Sequence, residues 1–134
     1  MSKVYKCHKI SEGYAEGEIV LSNDDLMFYL IEPDTGVVIE KAHDLNGKTI
    51  AKKIISFPSG KGSSVVQADG IFQLMKRDNA PLAMIVERPE TVLVTSAILF
   101  EVPMVDKVDP QFYKDIKDGD IIIVDANNET ITIK

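Results

Sequence analysis

Short apolar runs separated by turn residues fill the first part of the chain. Residues 3–10 alternate imperfectly between apolar and polar side chains, and residues 17–22 read Gly-Glu-Ile-Val-Leu-Ser. Both patterns predict strands, with a turn region over 13–17 between them. A further strand is predicted over 26–31. The first part of the chain is therefore expected to be rich in β-structure.

Turn residues then define a predicted β-hairpin. Residues 33–36 read Pro-Asp-Thr-Gly, in which proline presets φ at the first central position and glycine tolerates a positive φ. The run Val-Val-Ile at 37–39 is expected to return as the partner strand. A second turn is predicted at 45–48, Leu-Asn-Gly-Lys. The apolar run 54–57, Ile-Ile-Ser-Phe, is typical of a buried central strand.

The pattern changes after residue 57, where predicted helices begin to alternate with strands. Residues 58–64 predict a loop, and apolar side chains then recur with helical spacing at Ala68, Ile71, Phe72, Leu74 and Met75. Later segments predict, in order, a strand at 81–86, a helix at 89–101, a strand at 103–105 and a helical turn at 109–117. This order indicates an α/β unit over 54–105, beside a β-rich layer formed by residues 1–50.

Two details of this second part depend on local residue chemistry. Residues 91–100 are assigned to a helix, although their β-branched side chains suit a strand equally well. Residues 121–126 and 130–133 predict a closing hairpin, in which Asn127 and Asn128 are expected to supply the positive φ angles of the turn.

Length and composition indicate an ordinary globular protein. The 134 residues, 45% hydrophobic and 27% charged, suit a single domain spanning 1–134. The net charge of −6, with scattered basic residues, argues against a nucleic-acid partner. The longest apolar stretch, 92–100, is broken by Thr95 and Ser96, and no signal peptide is recognisable. We expect a cytoplasmic protein with no membrane association.

The single cysteine limits the metal chemistry of the chain. With Cys7 alone, no disulfide forms within the chain and no set of thiolates exists to hold zinc or an iron–sulfur cluster. We therefore predict no metal site and no bound cofactor in this chain, and interpret Cys7 as a packing residue. His43 is a candidate general acid or ligand, although a surface or structural residue is the simpler interpretation. Asp24 and Asp25 are candidate cation ligands, although a solvated loop or a helix start is the simpler interpretation.

The segment 58–64, Pro-Ser-Gly-Lys-Gly-Ser-Ser, carries the strongest chemical signal. A glycine-rich turn into a helix N-terminus directs backbone N–H groups at one point, which favours an anion. Gly60 and Gly62 permit close approach of a ligand, Lys61 adds a positive charge, and Ser63 or Ser64 either caps the helix or faces the ligand. A capping turn without any ligand remains the alternative. A serine held here also serves as a base if its pKa is strongly lowered.

Through this loop and several other segments, the chain resembles the small subunit, or swivel domain, of the aconitase X proteins. The most specific parts are the Pro-Ser-Gly-Lys-Gly-Ser loop and the Asp-Thr-Gly turn. The resemblance covers nearly the whole chain, in residues 13–19, 32–39, 43–47, 54–63, 80–83, 97–99 and 102–105. After the loop serine, the family usually has a small pair, Gly-Ser, where this chain has Val65-Val66-Gln67.

The resemblance implies an α/β fold of the swivelling β/β/α type, like the mobile domain of aconitase. It also implies a large partner subunit that carries an iron–sulfur cluster. Within the loop, it implies that Ser63 is the catalytic proton acceptor and that the substrate is bound by Gly60, Lys61, Gly62 and Ser64.

The implied reaction is a dehydration, in which Ser63 removes the proton next to the substrate carboxylate. For two-chain archaeal members, this means converting (R)-5-phosphomevalonate into trans-anhydromevalonate 5-phosphate, an isoprenoid precursor of the archaeal mevalonate pathway. Two alternatives stay open: a subunit of a hydroxyproline dehydratase, and a non-catalytic swivel or interaction module. A neighbouring reading frame rich in cluster-type cysteines would favour the enzyme.

Overall fold

The computed structural model describes residues 2–134, and in them it contains eight strands, three α-helices and a short 3-10 helix. The strands are β1 (Lys3–Lys6), β2 (His8–Ser11), β3 (Tyr14–Leu21), β4 (Ile54–Phe57), β5 (Ala83–Val86), β6 (Met104–Asp106), β7 (Ile121–Asp125) and β8 (Thr130–Ile133). The helices are α1 (Ser64–Lys76), α2 (Thr91–Leu99) and α3 (Pro110–Asp115), with the 3-10 turn at Phe28–Leu30. Within residues 2–134, no helix is both long and apolar enough to cross a bilayer.

The strands form one sheet in the order β1-β8-β7-β3-β4-β5-β6-β2. Its centre, β3-β4-β5-β6, is parallel, and the outer strands pair antiparallel. Strands β1 and β2 lie at opposite ends of this order, yet only Cys7 separates them along the chain. The sheet must therefore curl until its two ends come together.

The central strands are buried on both faces, and each face has its own core. Every residue of β4, β5 and β6 is buried, as expected where a parallel sheet is covered on both sides. Because side chains alternate along a strand, Ile54 and Ile55 join different cores. One core includes the inner faces of α1 and α2, and the other lies inside the curled sheet against Phe112 of α3.

Most predicted elements of the second half are confirmed. Strand β4 spans 54–57 as predicted, helix α1 follows the loop, and the ambiguous segment 91–100 is largely helix α2. The side chain of Glu90 explains the helical outcome, because it accepts hydrogen bonds from Val92 N at 2.9 Å and Leu93 N at 3.1 Å. Such capping satisfies the first free N–H groups of a helix and offsets the β-propensity of the residues that follow.

The turn predicted at 13–17 is wrong, because β3 runs without interruption from Tyr14 to Leu21. Gly17 lies inside this strand, where a Cβ atom would come within 2.8 Å of Leu82 Cδ1. The glycine permits close packing of Leu82 on the sheet and marks no turn. The positive φ predicted for Asn127 and Asn128 is also wrong, because the residue with positive φ in this turn is Glu129, at 56°.

The strand predicted over 26–31 is replaced by the 3-10 turn Phe28–Leu30. Only its ends make isolated bridges, Leu26 with Gly60 and Ile31 with Val38. The turn at 33–36 is present, with Gly36 at φ 73°, but the returning strand at 37–39 is reduced to isolated bridges. The separate β-rich layer expected for residues 1–50 is likewise wrong, since β1, β2 and β3 belong to the common sheet.

Helix α1 packs directly on the backbone of this 3-10 turn through two residues. Gln67 is 1% exposed; its Oε1 accepts from Phe28 N at 3.0 Å, and its Nε2 donates to Leu26 O at 3.4 Å. At Gly70, a Cβ atom would lie 2.6 Å from Phe28 C and from Tyr29 N. Backbone cannot give way as a flexible side chain can. The two residues therefore set the position of α1, whose N-terminus belongs to the candidate loop.

Gly70→Ala tests this close approach. In an open helix the change would stabilise the protein by about 1 kcal/mol, but here the methyl group meets backbone atoms. We expect the free energy of unfolding to fall by about 1–3 kcal/mol, measured by chemical denaturation. Asp69→Ala, at an exposed neighbouring position of α1, is the control and should change it by less than about 0.5 kcal/mol. A stabilised Gly70→Ala variant would refute the contact.

Gln67→Ala should leave the buried N–H of Phe28 without an acceptor. Such a loss costs about 1–3 kcal/mol, and the Phe28 amide should exchange its hydrogen faster. Gln73→Ala is the matched control, since Gln73 lies on the same helix but its side chain bonds only exposed groups. Equal exchange rates for Phe28 in both variants would contradict the assigned role of Gln67.

Candidate functional site

The predicted loop lies at the carboxyl end of β4 and leads into α1, as expected from the sequence. Ser63 is the residue before the first helical turn, with φ −71° and ψ 155°, and α1 begins at Ser64. Gly62 has a positive φ of 106°, which its lack of a side chain permits. Ser63 and Ser64 are both exposed. Their side chains are thus presented to the surface at the start of the helix.

The Ser63 hydroxyl makes no capping hydrogen bond, although its carbonyl accepts from Gln67 N at 2.9 Å. Because the hydroxyl does not serve as a cap, it remains available for other partners. Helix α1 has 13 residues and no acidic side chain in its first turn. Its free N–H groups and dipole therefore favour negative charge at this point. The electrostatics suit an anionic ligand or a deprotonated hydroxyl.

A cleft of about 480 Å³ opens beside the loop, lined by residues that include Asp25, Glu40, His43, Lys61 and Arg88. Two ion pairs stand in it. Lys61 Nζ lies 2.5 Å from Glu40 Oε2, and Arg88 Nη2 lies 2.8 Å from Asp25 Oδ1. Each positive charge in the cleft is thus held by a carboxylate from a different segment of the chain.

The predicted site residues are only partly brought together. Lys61 lines the cleft, whereas Gly60, Gly62, Ser63 and Ser64 do not. Ser63 is two residues from Lys61, so their Cα atoms lie within about 7 Å. Gly60 instead pairs with Leu26. A Cβ atom at Gly60 would lie 2.3 Å from Gln67 Nε2, so this glycine makes room for the buried amide.

Arg88 is the cleft residue that sequence reasoning missed. It follows β5 by two residues, and its backbone is joined to the candidate loop: Arg88 N donates to Pro58 O at 2.9 Å, and Ser59 Oγ donates to Arg88 O at 2.6 Å. The carboxyl ends of adjacent parallel strands share one edge of a sheet. The available signal in the sequence is a basic residue two positions after the strand predicted at 81–86.

Of the two simpler interpretations for His43, a surface or a structural residue, the structure supports the structural one. Its side chain is fully buried. Nδ1 accepts from Leu45 N at 3.0 Å, so Nε2, at 3.1 Å from Asp25 O, must be the donor. A carbonyl oxygen can only accept, so the proton of the bond to Asp25 is on Nε2. The ring fixes the backbone of Asp25, which in turn holds Arg88.

Asp24, His43 and Asp44 form the one group of potential metal ligands found among residues 2–134, with ligand atoms within 4.8 Å of one another. Their lone pairs are largely used within the loop. Asp24 Oδ2 accepts from Asp44 N at 2.9 Å, and both oxygens of Asp44 accept from Ser22 and Asn23. Through these bonds, Asp24 and Asp44 hold the loop at 22–24 against the loop at 43–44.

Cys7 is buried between β1 and β2. Burial raises the pKa of its thiol to about 12, and the carboxylates of Glu129 and Asp106 add to the effect. A thiol with so high a pKa is neither a good nucleophile nor a ready metal ligand. Packing is thus the role that its environment supports.

Comparison with known proteins agrees with this architecture. A curated relative from Methanothrix thermoacetophila, named phosphomevalonate dehydratase small subunit, is 41% identical over 129 residues, covering 96% of this chain and 93% of that protein. The crystal structure of Thermococcus kodakaraensis aconitase X in its holo-form superposes with a TM-score of 0.88 at 40% identity, covering 98% of both chains.

A more distant solved structure has the same fold. The 3-isopropylmalate dehydratase of Methanocaldococcus jannaschii matches with a TM-score of 0.64 at 19% identity, over 91% of this chain and 81% of that one. The predicted swivelling α/β fold is confirmed. The family model described as aconitase X swivel domain matches residues 4–133, and the chain therefore belongs to the aconitase X swivel domain family.

Proposed function

We propose that this chain is the small subunit of a phosphomevalonate dehydratase, a hydro-lyase that works with a separate large subunit. Family membership and the name shared by its archaeal relatives support this assignment. The observation that carries the proposal is Ser63, whose hydroxyl lies free of capping bonds at the N-terminus of α1. The proposed reaction converts (R)-5-phosphomevalonate into trans-anhydromevalonate 5-phosphate in the cytoplasm.

In the proposed reaction, Ser63 is the proton acceptor. Its oxygen removes a proton from the carbon next to the carboxylate, a double bond forms to the neighbouring carbon, and the hydroxyl on that carbon departs. A serine hydroxyl is a very weak base, so its alkoxide needs strong stabilisation. The N–H groups at the start of α1 supply part of it. Because Ser63 is exposed in this chain, closure against the large subunit must supply the exclusion of water.

The other loop residues are assigned to substrate binding in this proposal. Gly60 and Gly62 keep the backbone accessible, Lys61 provides a positive charge, and Ser64 offers a hydroxyl and an N–H group at the start of α1. The ion pair of Lys61 with Glu40 keeps this charge at the edge of the cleft. An anionic substrate that displaces Glu40 therefore finds Lys61 already positioned.

The iron–sulfur cluster expected for this family does not fit the donor groups of this chain. Cluster irons are bound mainly by cysteine thiolates, and the sequence offers only Cys7, which is buried with a raised pKa. We therefore assign the cluster, and with it the departure of the hydroxyl, to the large subunit.

Ser63→Ala in the reconstituted two-subunit enzyme should lower kcat by about 10² to 10⁴-fold, the contribution of a positioned base. Subunit assembly should persist, since the change removes one exposed hydroxyl that caps nothing. Ser64→Ala is the comparison variant: because Ser64 is assigned to substrate binding, the change should raise KM and keep kcat within about threefold of the wild type. Steady-state kinetics with 5-phosphomevalonate measure both. Near-normal turnover by Ser63→Ala would remove Ser63 from the mechanism.

The purified chain alone should be colourless and inactive, because it lacks the ligands for a cluster. Ultraviolet-visible spectra taken after anaerobic incubation with iron and sulfide, and a dehydratase assay, provide the check. Activity should appear when the large subunit is added. Cluster absorbance or activity in the isolated chain would overturn the division of labour.

A further inference from the structure

The backbone N–H and the backbone carbonyl of Arg88 are both hydrogen-bonded to the candidate loop. Its N–H donates to Pro58 O, and its carbonyl accepts from the hydroxyl of Ser59. Ser59 is itself 5% exposed, so its hydrogen bond to Arg88 is buried. The position of Arg88 relative to the loop that ends in Ser63 is therefore set by the fold.

The side chain of Arg88 is the more available of the two positive charges in the cleft. It is 66% exposed and pairs with Asp25, itself 35% exposed, whereas Lys61 is 37% exposed and pairs with the more buried Glu40, at 17%. Within residues 2–134, its side chain makes one hydrogen bond, from Nη2 to Asp25. A guanidinium carries five N–H donors. Most of them are thus free to meet a ligand.

We propose that Arg88 binds the phosphate group of the substrate, an inference that rests on the proposed function. Ser63 does not line the cleft, and it acts next to the carboxylate, at one end of the substrate. The phosphate is at the opposite end, so it is the group that reaches into the cleft. A guanidinium matches the oxygens of phosphate in two parallel hydrogen bonds. Lys61 supplies the second positive charge for a dianion.

The ion pair with Asp25 keeps Arg88 directed into the cleft before substrate arrives. Asp25 is held in turn by the hydrogen bond from the buried His43 to its carbonyl. Because Arg88 is largely exposed and Asp25 about one-third exposed, solvent weakens their ion pair, and a phosphate replaces Asp25 at small cost. Arg88 is therefore a specificity residue for phosphorylated acids over acids without phosphate.

The first test is Arg88→Ala in the reconstituted enzyme, with Arg77→Ala as the matched control. Arg77 is the other arginine of the chain and makes the same kind of pair, 2.8 Å from Asp34, away from the cleft. Loss of a hydrogen-bonded charge should raise KM for 5-phosphomevalonate about 10- to 100-fold in Arg88→Ala, with kcat nearly unchanged. Arg77→Ala should leave both constants unchanged. Unchanged KM in Arg88→Ala overturns the proposal.

A second test identifies the anion without depending on turnover. Titration calorimetry of the two-subunit protein with inorganic phosphate should show binding that Arg88→Ala weakens about tenfold, while binding of mevalonate, which lacks the phosphate, should stay the same. Equal loss for both ligands, or no phosphate binding by the wild type, overturns the assignment. If the wild type binds phosphate through Arg88 but does not dehydrate 5-phosphomevalonate, only the proposed function fails.

Discussion

Burial of the central parallel strands on both faces is the constraint from which the rest of the structure follows. Strands β4, β5 and β6 expose no side chain to solvent, so each face needs a cover. Helices α1 and α2 cover one face, and the curling of the sheet with α3 covers the other. Parallel strands joined by helices place their carboxyl ends at one edge. For this reason the loop with Lys61 and Ser63, which follows β4, and Arg88, which follows β5, lie at the same edge of the sheet.

The sequence predicted those elements whose signal is local. Strand β4 is a short apolar run, and α1 combines helical spacing with a glycine-rich entry, so both were found. Phe28–Leu30 was predicted as a strand because its residues are apolar, but its geometry depends on Gln67 and Gly70, which lie about 40 residues later in the chain. Gly17 was predicted to lie in a turn for a related reason, because Leu82, the side chain that packs on it, is distant in sequence.

In the candidate site too, the residues with a local signal were predicted and the residue placed by long-range contacts was not. Ser63 and its loop were predicted from residue types at fixed spacing and from the resemblance to a family. Arg88 was missed because its link to the loop passes through a strand pairing and two hydrogen bonds. Gln67 belongs to the Val65-Val66-Gln67 run that replaces the usual small pair of the family. Its buried amide joins α1 to the backbone of Leu26 and Phe28. The sequence shows that this run differs from the family pattern, and the hydrogen bonds of Gln67 show its structural role.

The pairing of β1 with β8 also places the start of the first strand beside the end of the last strand. Lys3 lies opposite Ile133 in the antiparallel register, a separation of about 5 Å between Cα atoms. A linker of a few residues would therefore close the chain into a circle without disturbing either strand. For the same reason, a second polypeptide joined at the front or at the back would leave the domain from one place on its surface.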